Sequence, residues 1–419
     1  MPPDNAQMTS TTLVIFGLVY AGMILGGLPF LQLDRTGIAL VGAIAVIGSE
    51  ALSVEEAAQA IHLPTLILLF SFMVVSAQMR LGGFYDWVTR RLAALPLAPP
   101  LMLGALILAV AAMSAVFSND VVCLAVAPVL IDACRRRQLD PVPFLLALAC
   151  AANIGSAATL IGNPQNMLIG QTLQMSFAAY AAEAAAPVLI GLAVTWALIA
   201  AQTRGRWRRV GESVPADERR HVPEALDRWQ TAKGLAVTLA IVLCFLFTSW
   251  PRDVVALTGA GVLLMSRKLH SSKMLGLVDW ELLVLFIGLF VVNHALQTTG
   301  LPALAVAELA ALGVPLDQPA PLFAATLLLS NIVSNVPAVM LLLPVAGHAL
   351  AGLLLALVST LAGNLFIVGS IANIIVVDVA RRRGVPIDWR RHARVGLPVT
   401  LATLAVTAAW LWLRAGAVS

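Results

Sequence analysis

The sequence predicts an all-α polytopic membrane protein made of two inverted repeats, with about ten transmembrane helices, two re-entrant hairpins and two broken helices. Three observations carry this expectation. Of the 419 residues, 60% are hydrophobic and only 11% are charged, against about 25% charged in soluble domains, and the mean hydropathy is +0.90. Several apolar runs reach the roughly 20 residues that a helix needs to cross about 30 Å of hydrocarbon, and the alternating segments of outer-membrane barrels are missing. The apolar runs on either side of a polar stretch at 204–231 follow the same order. This composition excludes soluble enzymes and nucleic-acid readers, and the net charge of +4 reflects arginine-rich loops on one membrane face.

The first half, 1–203, has apolar runs at 12–31, 36–49, 62–79, 98–134, 143–172 and 178–203. No Lys or Arg precedes the first run, and Asp34 and Arg35 follow it in place of a small-residue cleavage site; this predicts a first transmembrane helix, not a signal peptide. The amphipathic piece from Asp86 to Leu97 reads as an interfacial helix with Arg90 and Arg91 at the headgroups. Run 98–134 breaks at Ser118-Asn119-Asp120 between two basic flanks, Arg90-Arg91 and Arg135-Arg136-Arg137. Basic flanks belong on one side of the membrane, so the run predicts a hairpin that returns to the side it came from. Run 143–172 is interrupted at Gly162-Asn163-Pro164-Gln165-Asn166.

Beyond the linking stretch 204–231, the second half, 232–419, has runs at 232–250, 253–266, 279–298, 319–347, 349–380 and 395–413. Run 319–347 holds 29 residues, too few for two spans of at least about 17. It breaks at Ser334-Asn335-Val336-Pro337 and predicts the second hairpin; run 349–380 breaks at Gly369-Ser370-Ile371-Ala372-Asn373. Placing 204–231 in the cytoplasm puts 24 of the 26 Lys and Arg inside and leaves only Arg252 and Arg414 outside, as the positive-inside rule requires. Both termini then lie outside, hairpin 98–134 enters from the cytoplasm and hairpin 319–347 from the opposite face.

Residue spacing repeats as well. Ser118-Asn119 recurs as Ser334-Asn335 at an offset of 216, Gly82 as Gly300 at 218, and Gly162–Asn166 as Gly369–Asn373 at 207. Inverted repeats with broken helices at matching positions point to a secondary transporter whose site lies at the membrane midplane. Cys123, Cys134, Cys150 and Cys244 sit in or beside apolar runs without CxxC spacing, which marks them as small core residues rather than a disulfide frame or a metal site.

Each break also looks like a helix start. Asn119 or Asp120 can cap the second arm of the first hairpin, Asn335 with Pro337 that of the second, and Asn163-Pro164 and Ser370 the half-helices that follow the other two breaks. Helix N-termini converging on one cavity would hold an anion on free N–H groups without a Lys or Arg. This makes Ser118, Asn119, Asp120, Asn163, Gln165, Asn166, Ser334, Asn335, Ser370 and Asn373 the candidate substrate contacts. Unwound carbonyls and side-chain oxygens at Ser118, Asn119, Asp120, Gly162, Asn163 and Gly369 could coordinate a coupling cation such as sodium. A lone Asn or Gly in a membrane helix is often only a kink satisfied by its neighbours; four paired breaks are harder to explain that way. Asp120, ionisable at membrane depth, has three roles open to it: sodium ligand, proton carrier or helix cap. His294, Glu183, Asp378 and Asp132 lie near helix ends and read as structural, while Asp279 and Glu281 suit the start of their helix.

The strings SNDVVCLAVAPVLI, LIGNPQNMLIG, SNIVSNVPAVMLLLP and LAGNLFIVGSIANIIVVDVARRRG resemble the signatures of the ion transporter superfamily. More closely they resemble its citrate-transporter-like, anion-permease branch, related to arsenite permeases and divalent anion/sodium symporters. The resemblance runs from about residue 36 to 413 with its motifs in order. It implies a scaffold domain and a transport domain holding both hairpins, a homodimer and an elevator-type movement. It also implies substrate at the hairpin tips, Ser118 to Asp120 and Ser334-Asn335, with coupling ions around those tips and the breaks at Gly162–Asn166 and Gly369–Asn373. Divalent-anion symporters carry Ser-Asn-Thr at both tips; this chain has Ser-Asn-Asp and Ser-Asn-Val-Pro, closer to the patterns of arsenite permeases and of other anion permeases.

The expected function is therefore secondary active transport of a small anion, a di- or tricarboxylate or an inorganic oxyanion, coupled to sodium or protons. A sodium/proton antiporter working through Asp120, or an anion channel, are the alternatives. An enzyme is not expected, since HExxH, a Ser/His/Asp set, paired carboxylates and a phosphate loop are all missing from the apolar runs. The only cofactor expected is sodium as coupling ion; the expected partners are the anion, the bilayer and a second copy. The Ala- and Arg-rich composition suggests a bacterial inner membrane.

Overall fold

The structure is a computed structural model that describes residues 3–27, 31–208 and 225–418. Most of the linking stretch 204–231 thus lies outside the described residues. Among those that are described, regular structure is helical, apart from one isolated bridge between Leu139 and Arg208. The first half forms α1 (Pro3–Leu25), α2 (Arg35–Gly48), α3 (Val54–Ala60), α4 (Leu63–Leu81), α5 (Phe84–Ala93), α6 (Pro99–Ser114), α7 (Asn119–Arg136), α8 (Pro141–Ser156), α9 (Pro164–Thr172) and α10 (Phe177–Thr203). The second forms α11 (Arg228–Phe247), α12 (Arg252–Leu264), α13 (Ser271–Leu275), α14 (Trp280–Thr298), α15 (Leu301–Ala311), α16 (Pro319–Val333), α17 (Asn335–Leu342), α18 (Ala351–Ala362), α19 (Ile371–Arg382) and α20 (Trp389–Val418).

Six of these, α1, α4, α10, α11, α14 and α20, are long and apolar enough to cross a bilayer, and the chain is an all-α multi-pass membrane protein. The outward faces of α1, α10 and α11 present Leu18, Leu189, Leu239 and Phe247, as lipid-facing helices must. The centre is the reverse. Every residue of α18 is buried, and α8 and α9 are buried almost throughout. At 12 residues, α18 is about 18 Å long, well short of the hydrocarbon thickness; it is stable there because helices enclose it on all sides.

Helix order coincides element by element in the two halves. Long-range packing is reciprocal too: α2 lies along α14, and α4 along α12. Small residues permit these approaches, for a Cβ on Gly288 would sit 2.6 Å from the Ala39 carbonyl carbon. The helix after each hydrophobic span, α5 and α15, starts on a left-handed glycine, Gly83 (φ 71) and Gly300 (φ 72). The structural partner of Gly300 is therefore Gly83, at an offset of 217, and not Gly82, which ends α4 in right-handed conformation. A second difference concerns α5. It starts at Phe84 and ends at Ala93, and it buries Tyr85, Asp86 and Thr89, so one face packs on protein where the amphipathic pattern suggested only the headgroup region. Phe84 and Tyr85 meet Phe117 edge to face with ring centroids 6.1 and 5.9 Å apart. The equivalent helix α15 buries no residue and touches mainly α14.

Candidate functional site

The two interrupted runs meet at the buried centre, and polar side chains knit them crosswise. Asn163 is the N-cap of α9: its Oδ1 accepts from the Asn166 backbone N–H at 2.9 Å, with Pro164 next in the first turn. Its Nδ2 donates to Ser156 Oγ (3.0 Å) on α8 and to Thr360 Oγ1 (3.2 Å) on α18. Gln165 Nε2 donates to the same Thr360 hydroxyl at 3.1 Å. Asn166 Nδ2 donates to the Thr159 carbonyl (3.0 Å) and Tyr180 Oη (3.1 Å), and that phenol donates to the Ala157 carbonyl at 2.8 Å. The first break is thus held by α18, a helix of the other half.

The second break is held in turn by α8. Asn153 donates through Nδ2 to Asn364 Oδ1 (2.8 Å) and Asn373 Oδ1 (3.3 Å). Its Oδ1 accepts from Ser370 Oγ (2.9 Å) and from Asn119 Nδ2 (3.3 Å) at the tip of the first hairpin. Asn373 Nδ2 closes the cluster on the Gly363 and Phe366 carbonyls at 2.8 and 3.0 Å. Asn153 and Thr360 lie 207 residues apart, the spacing that separates Gly162 from Gly369, so each half contributes the side chain that ties down the other half's break. Asn153, Thr360, Asn163, Asn166, Asn364 and Asn373 are all at most 2% exposed. Burial this deep makes each hydrogen bond of the network count, and Asn364 Nδ2 is the one amide nitrogen of this group without a partner among the described residues.

Sequence reasoning anticipated Asn119, Asn163, Gln165, Asn166, Ser370 and Asn373, and the structure brings these together. It missed Asn153, Asn364, Thr360, Ser156 and Tyr180. An Asn within an apolar run, as in AANIGS and AGNLF, was the available signal for two of them; nothing local marks a Thr or Tyr as part of a network. Gly162 belongs to the site by close approach, since a Cβ there would lie 2.2 Å from the Ser156 carbonyl oxygen and 2.8 Å from that of Ser114. Gly369 faces Asn331 Oδ1 and the Gly363 carbonyl in the same way, at 3.3 and 3.1 Å from an added Cβ.

Both hairpin tips depart from the expected caps. Helix α7 begins at Asn119 with Ser118 as its N-cap, and no side chain caps it. Asn119 is committed to Asn153 instead, and Asp120, half-buried in the first turn, has no hydrogen-bond or ion-pair partner among the described residues. The Ser118 N–H donates to Ser76 Oγ on α4 at 3.3 Å. At the second tip Ser334 is the uncapped N-cap of α17 with φ 83 and ψ 159, a region essentially reserved for glycine and costing about 1–3 kcal/mol. Ser370 starts α19 but spends its hydroxyl on Asn153 rather than on a cap. The oxygens Asn119 Oδ1, Asn331 Oδ1 and Asn335 Oδ1 are buried and accept no hydrogen bond from the described residues.

Beside the breaks lies a cavity of about 600 Å³ between α14, α15 and the second hairpin, lined by Asn293, Gln297, Val306, Met340 and Pro344. A smaller one of about 280 Å³ shares Asn293, Gln297, Met340 and Pro344 and adds His62 and His294. Asn293, also missed in the sequence, accepts from Tyr20 Oη at 2.9 Å and turns its Nδ2 to Met340 Sδ at 3.7 Å. It stands 217 residues after Ser76, so equivalent helices α4 and α14 each present a polar group to one hairpin. Of the other ionisable residues, Asp132 pairs with Arg383 at 3.0 Å, Asp378 with Arg381 and Arg382, Glu183 with Arg414, and Asp279 caps α14, whereas His294, expected to be structural, lines the smaller cavity.

Known proteins place this architecture. The chain is 31% identical to a 46 kDa membrane protein of Mycobacterium leprae over 90% of its own length and 92% of that protein's. It is 29% identical to the silicon efflux transporter LSI3 of Oryza sativa subsp. japonica, over 94% and 95% of the two chains. Among solved structures, the YdaH transporter of Alcanivorax borkumensis superimposes with a TM-score of 0.54 at 15% identity, covering 99% of both chains, which is a likeness of fold. The citrate transporter family matches residues 12–362. This chain, a membrane transporter and not an enzyme, belongs to the citrate transporter family.

Proposed function

We propose that this protein is an ion-coupled secondary transporter of a small oxygen-rich solute, a di- or tricarboxylate or an inorganic oxyanion, working by elevator-type alternating access. One observation carries the reading: two broken helices, laced to each other by buried amides and hydroxyls, meet two polar hairpin tips, and no Lys or Arg side chain donates to any of these residues among those described. Amide donors and helix N-termini suit oxygen acceptors of modest charge. The rice relative's name, silicon efflux transporter, supports keeping weakly charged hydroxylated oxyacids among the substrates. Ser118, Asp120, Ser334 and Asn335 at the tips are the proposed contacts, with Asn163, Gln165, Asn166, Ser370 and Asn373 holding the breaks in shape behind them.

Unpaired oxygens support cation coupling. Asn119 Oδ1, Asn331 Oδ1 and Asn335 Oδ1 are buried acceptors without donors, the kind of group a sodium ion satisfies. Asp120 supplies a carboxylate for the same ion or for a proton. The matched order of the two halves and the excess of Lys and Arg in the loops support inverted repeats, with 204–231 in the cytoplasm and both termini outside. On that topology the cavity beside α15 and the second hairpin opens outward, while α5 closes on Phe117 at the inner side. A homodimer in a bacterial inner membrane is part of the same proposal.

The test is charge movement by proteoliposomes on a solid-supported membrane. The panel is dicarboxylates, citrate, sulfate, phosphate, silicate and arsenite, with and without sodium, at two pH values. A transient current for one solute that requires sodium or tracks pH, and disappears in Asp120→Asn, is expected. Proton movement on a sodium pulse without any solute would favour the sodium/proton antiporter, and steady channel-scale currents would favour a pore.

A further inference from the structure

Away from the central network, a further cavity of about 360 Å³ lies where α8 starts, α10 ends and the α19–α20 connection turns into α20. Arginines 206, 391 and 394 line it together with apolar Leu146, Ile199 and Val395. Both α10 and α20 are membrane-spanning helices, so the cavity sits at the depth where spans end and headgroups begin. We propose that Arg206, Arg391 and Arg394 form a phosphate-binding pocket, occupied by the headgroup of an anionic phospholipid or by a soluble phosphorylated molecule.

Electrostatics and partners carry the inference. Basic residues belong at helix C-termini, since an N-terminus already presents about half a positive charge. Helix α20 breaks this rule: Arg390, Arg391 and Arg394 fall in its first two turns, and no acid stands in the first turn. Other arginines nearby are satisfied within the protein. Arg383 pairs with Asp132, Arg381 and Arg382 with Asp378, Arg135 donates to the Arg383 carbonyl, and Arg137 donates to Leu97. By contrast, the side chains of Arg206 and Arg394 have no partner among the described residues, and Arg391 reaches only the Pro386 carbonyl at 3.0 Å. The one acid lining the pocket, Asp140, is engaged as the N-cap of α8, accepting from Val142 N–H at 3.1 Å. Asp388 accepts from the Arg391 backbone N–H.

The wall of the pocket is built rather than loose. The Asp140 N–H donates to the Trp207 carbonyl at 2.9 Å, the Trp207 ring packs on Phe144 at 5.8 Å, and Leu139 bridges to Arg208. Gln202 Nε2 ties α10 to the Arg394 carbonyl at 3.0 Å. Guanidinium forks suit phosphate oxygens better than any other common anion-binding side chain. The buried apolar part of the lining, Leu146, Ile199 and Val395, suits the carbon-bearing part of a phosphorylated molecule, and juxtamembrane arginines favour anionic headgroups.

The test uses the full chain. In one arm the protein is purified in nanodiscs of phosphatidylcholine with phosphatidylglycerol, and lipid retained after transfer to detergent is counted by native mass spectrometry. In the other, inorganic pyrophosphate is titrated onto protein in phosphatidylcholine nanodiscs. Each arginine near a membrane surface contributes roughly fivefold to anionic-lipid affinity, so Arg206→Gln/Arg391→Gln/Arg394→Gln should weaken the bound anion by about a hundredfold. The control Arg381→Gln/Arg382→Gln/Arg390→Gln, which removes the same charge outside the pocket, should not. Selective loss of phosphatidylglycerol supports a lipid site; loss of pyrophosphate binding alone supports a soluble phosphate. Equal effects of both triple variants, or no binding of either probe, would overturn the proposal. Arg394→Gln alone, with unchanged melting temperature, serves if the triple variant misfolds.

Discussion

Replacing Asn153 by alanine is the sharpest perturbation of the central network. The substitution removes hydrogen bonds to Asn364 Oδ1, Asn373 Oδ1, Ser370 Oγ and Asn119 Nδ2, at 2.8 to 3.3 Å. Side-chain bonds in membrane proteins average about 0.6 kcal/mol by double-mutant cycles, which gives about 2 kcal/mol for the set. Fully buried partners left without a substitute cost about 1–3 kcal/mol each, but the vacated amide volume can admit a water that re-pairs some of them. The expected loss is therefore about 2–4 kcal/mol, read from SDS-titrated equilibrium unfolding in mixed micelles. Ser370→Ala and the double variant complete a cycle, with an expected coupling of about 0.6–1.7 kcal/mol. A loss below about 1 kcal/mol, or additive single effects, would refute the view that Asn153 ties the second break to the first half.

Three further outcomes are expected. Ser334→Gly relieves a non-glycine residue held at φ 83 and should stabilise the protein by about 1 kcal/mol in the same unfolding assay, whereas Ser334→Ala should not; equal behaviour of the two would remove strain from the account of the second tip. Gly162→Ala places a methyl 2.2 Å from a backbone oxygen, an overlap that no rotamer relieves, and should cost at least the roughly 3 kcal/mol upper range of overpacking, seen as loss of folded protein in size-exclusion chromatography. Glu56, which completes a capping box at the start of α3, has its carboxyl held below the usual range by hydrogen bonds from the Ser53 backbone N–H and then its hydroxyl. A depressed carboxylate contributes its stabilisation above the unfolded pKa and loses it as pH falls through the folded one. Amide exchange of α3 should therefore speed up below about pH 4 beyond the normal pH trend, and Glu56→Gln should abolish that change.

Composition and spacing alone determine that this chain is a helical multi-pass membrane protein with four polar interruptions in matching order, because a bilayer core admits little besides apolar helices and makes each exception conspicuous. Residues inside those interruptions, Asn119, Asn163, Asn166, Ser370 and Asn373, could be named from the chain for the same reason. What tertiary structure alone decided is who pairs with whom. Asn153 and Thr360 sit in unbroken helical runs, more than 190 residues from some of their partners, and only the crossing of α8 and α18 brings them to the opposite breaks. The expected cap at Asn119 failed on the same ground. A cap is a local preference worth about 1 kcal/mol, and a buried amide takes whichever partner the packing of other helices puts within reach. Likewise, the cavity beside α15 and the meeting of Arg206 with Arg391 and Arg394 join segments far apart in sequence, which no local pattern records.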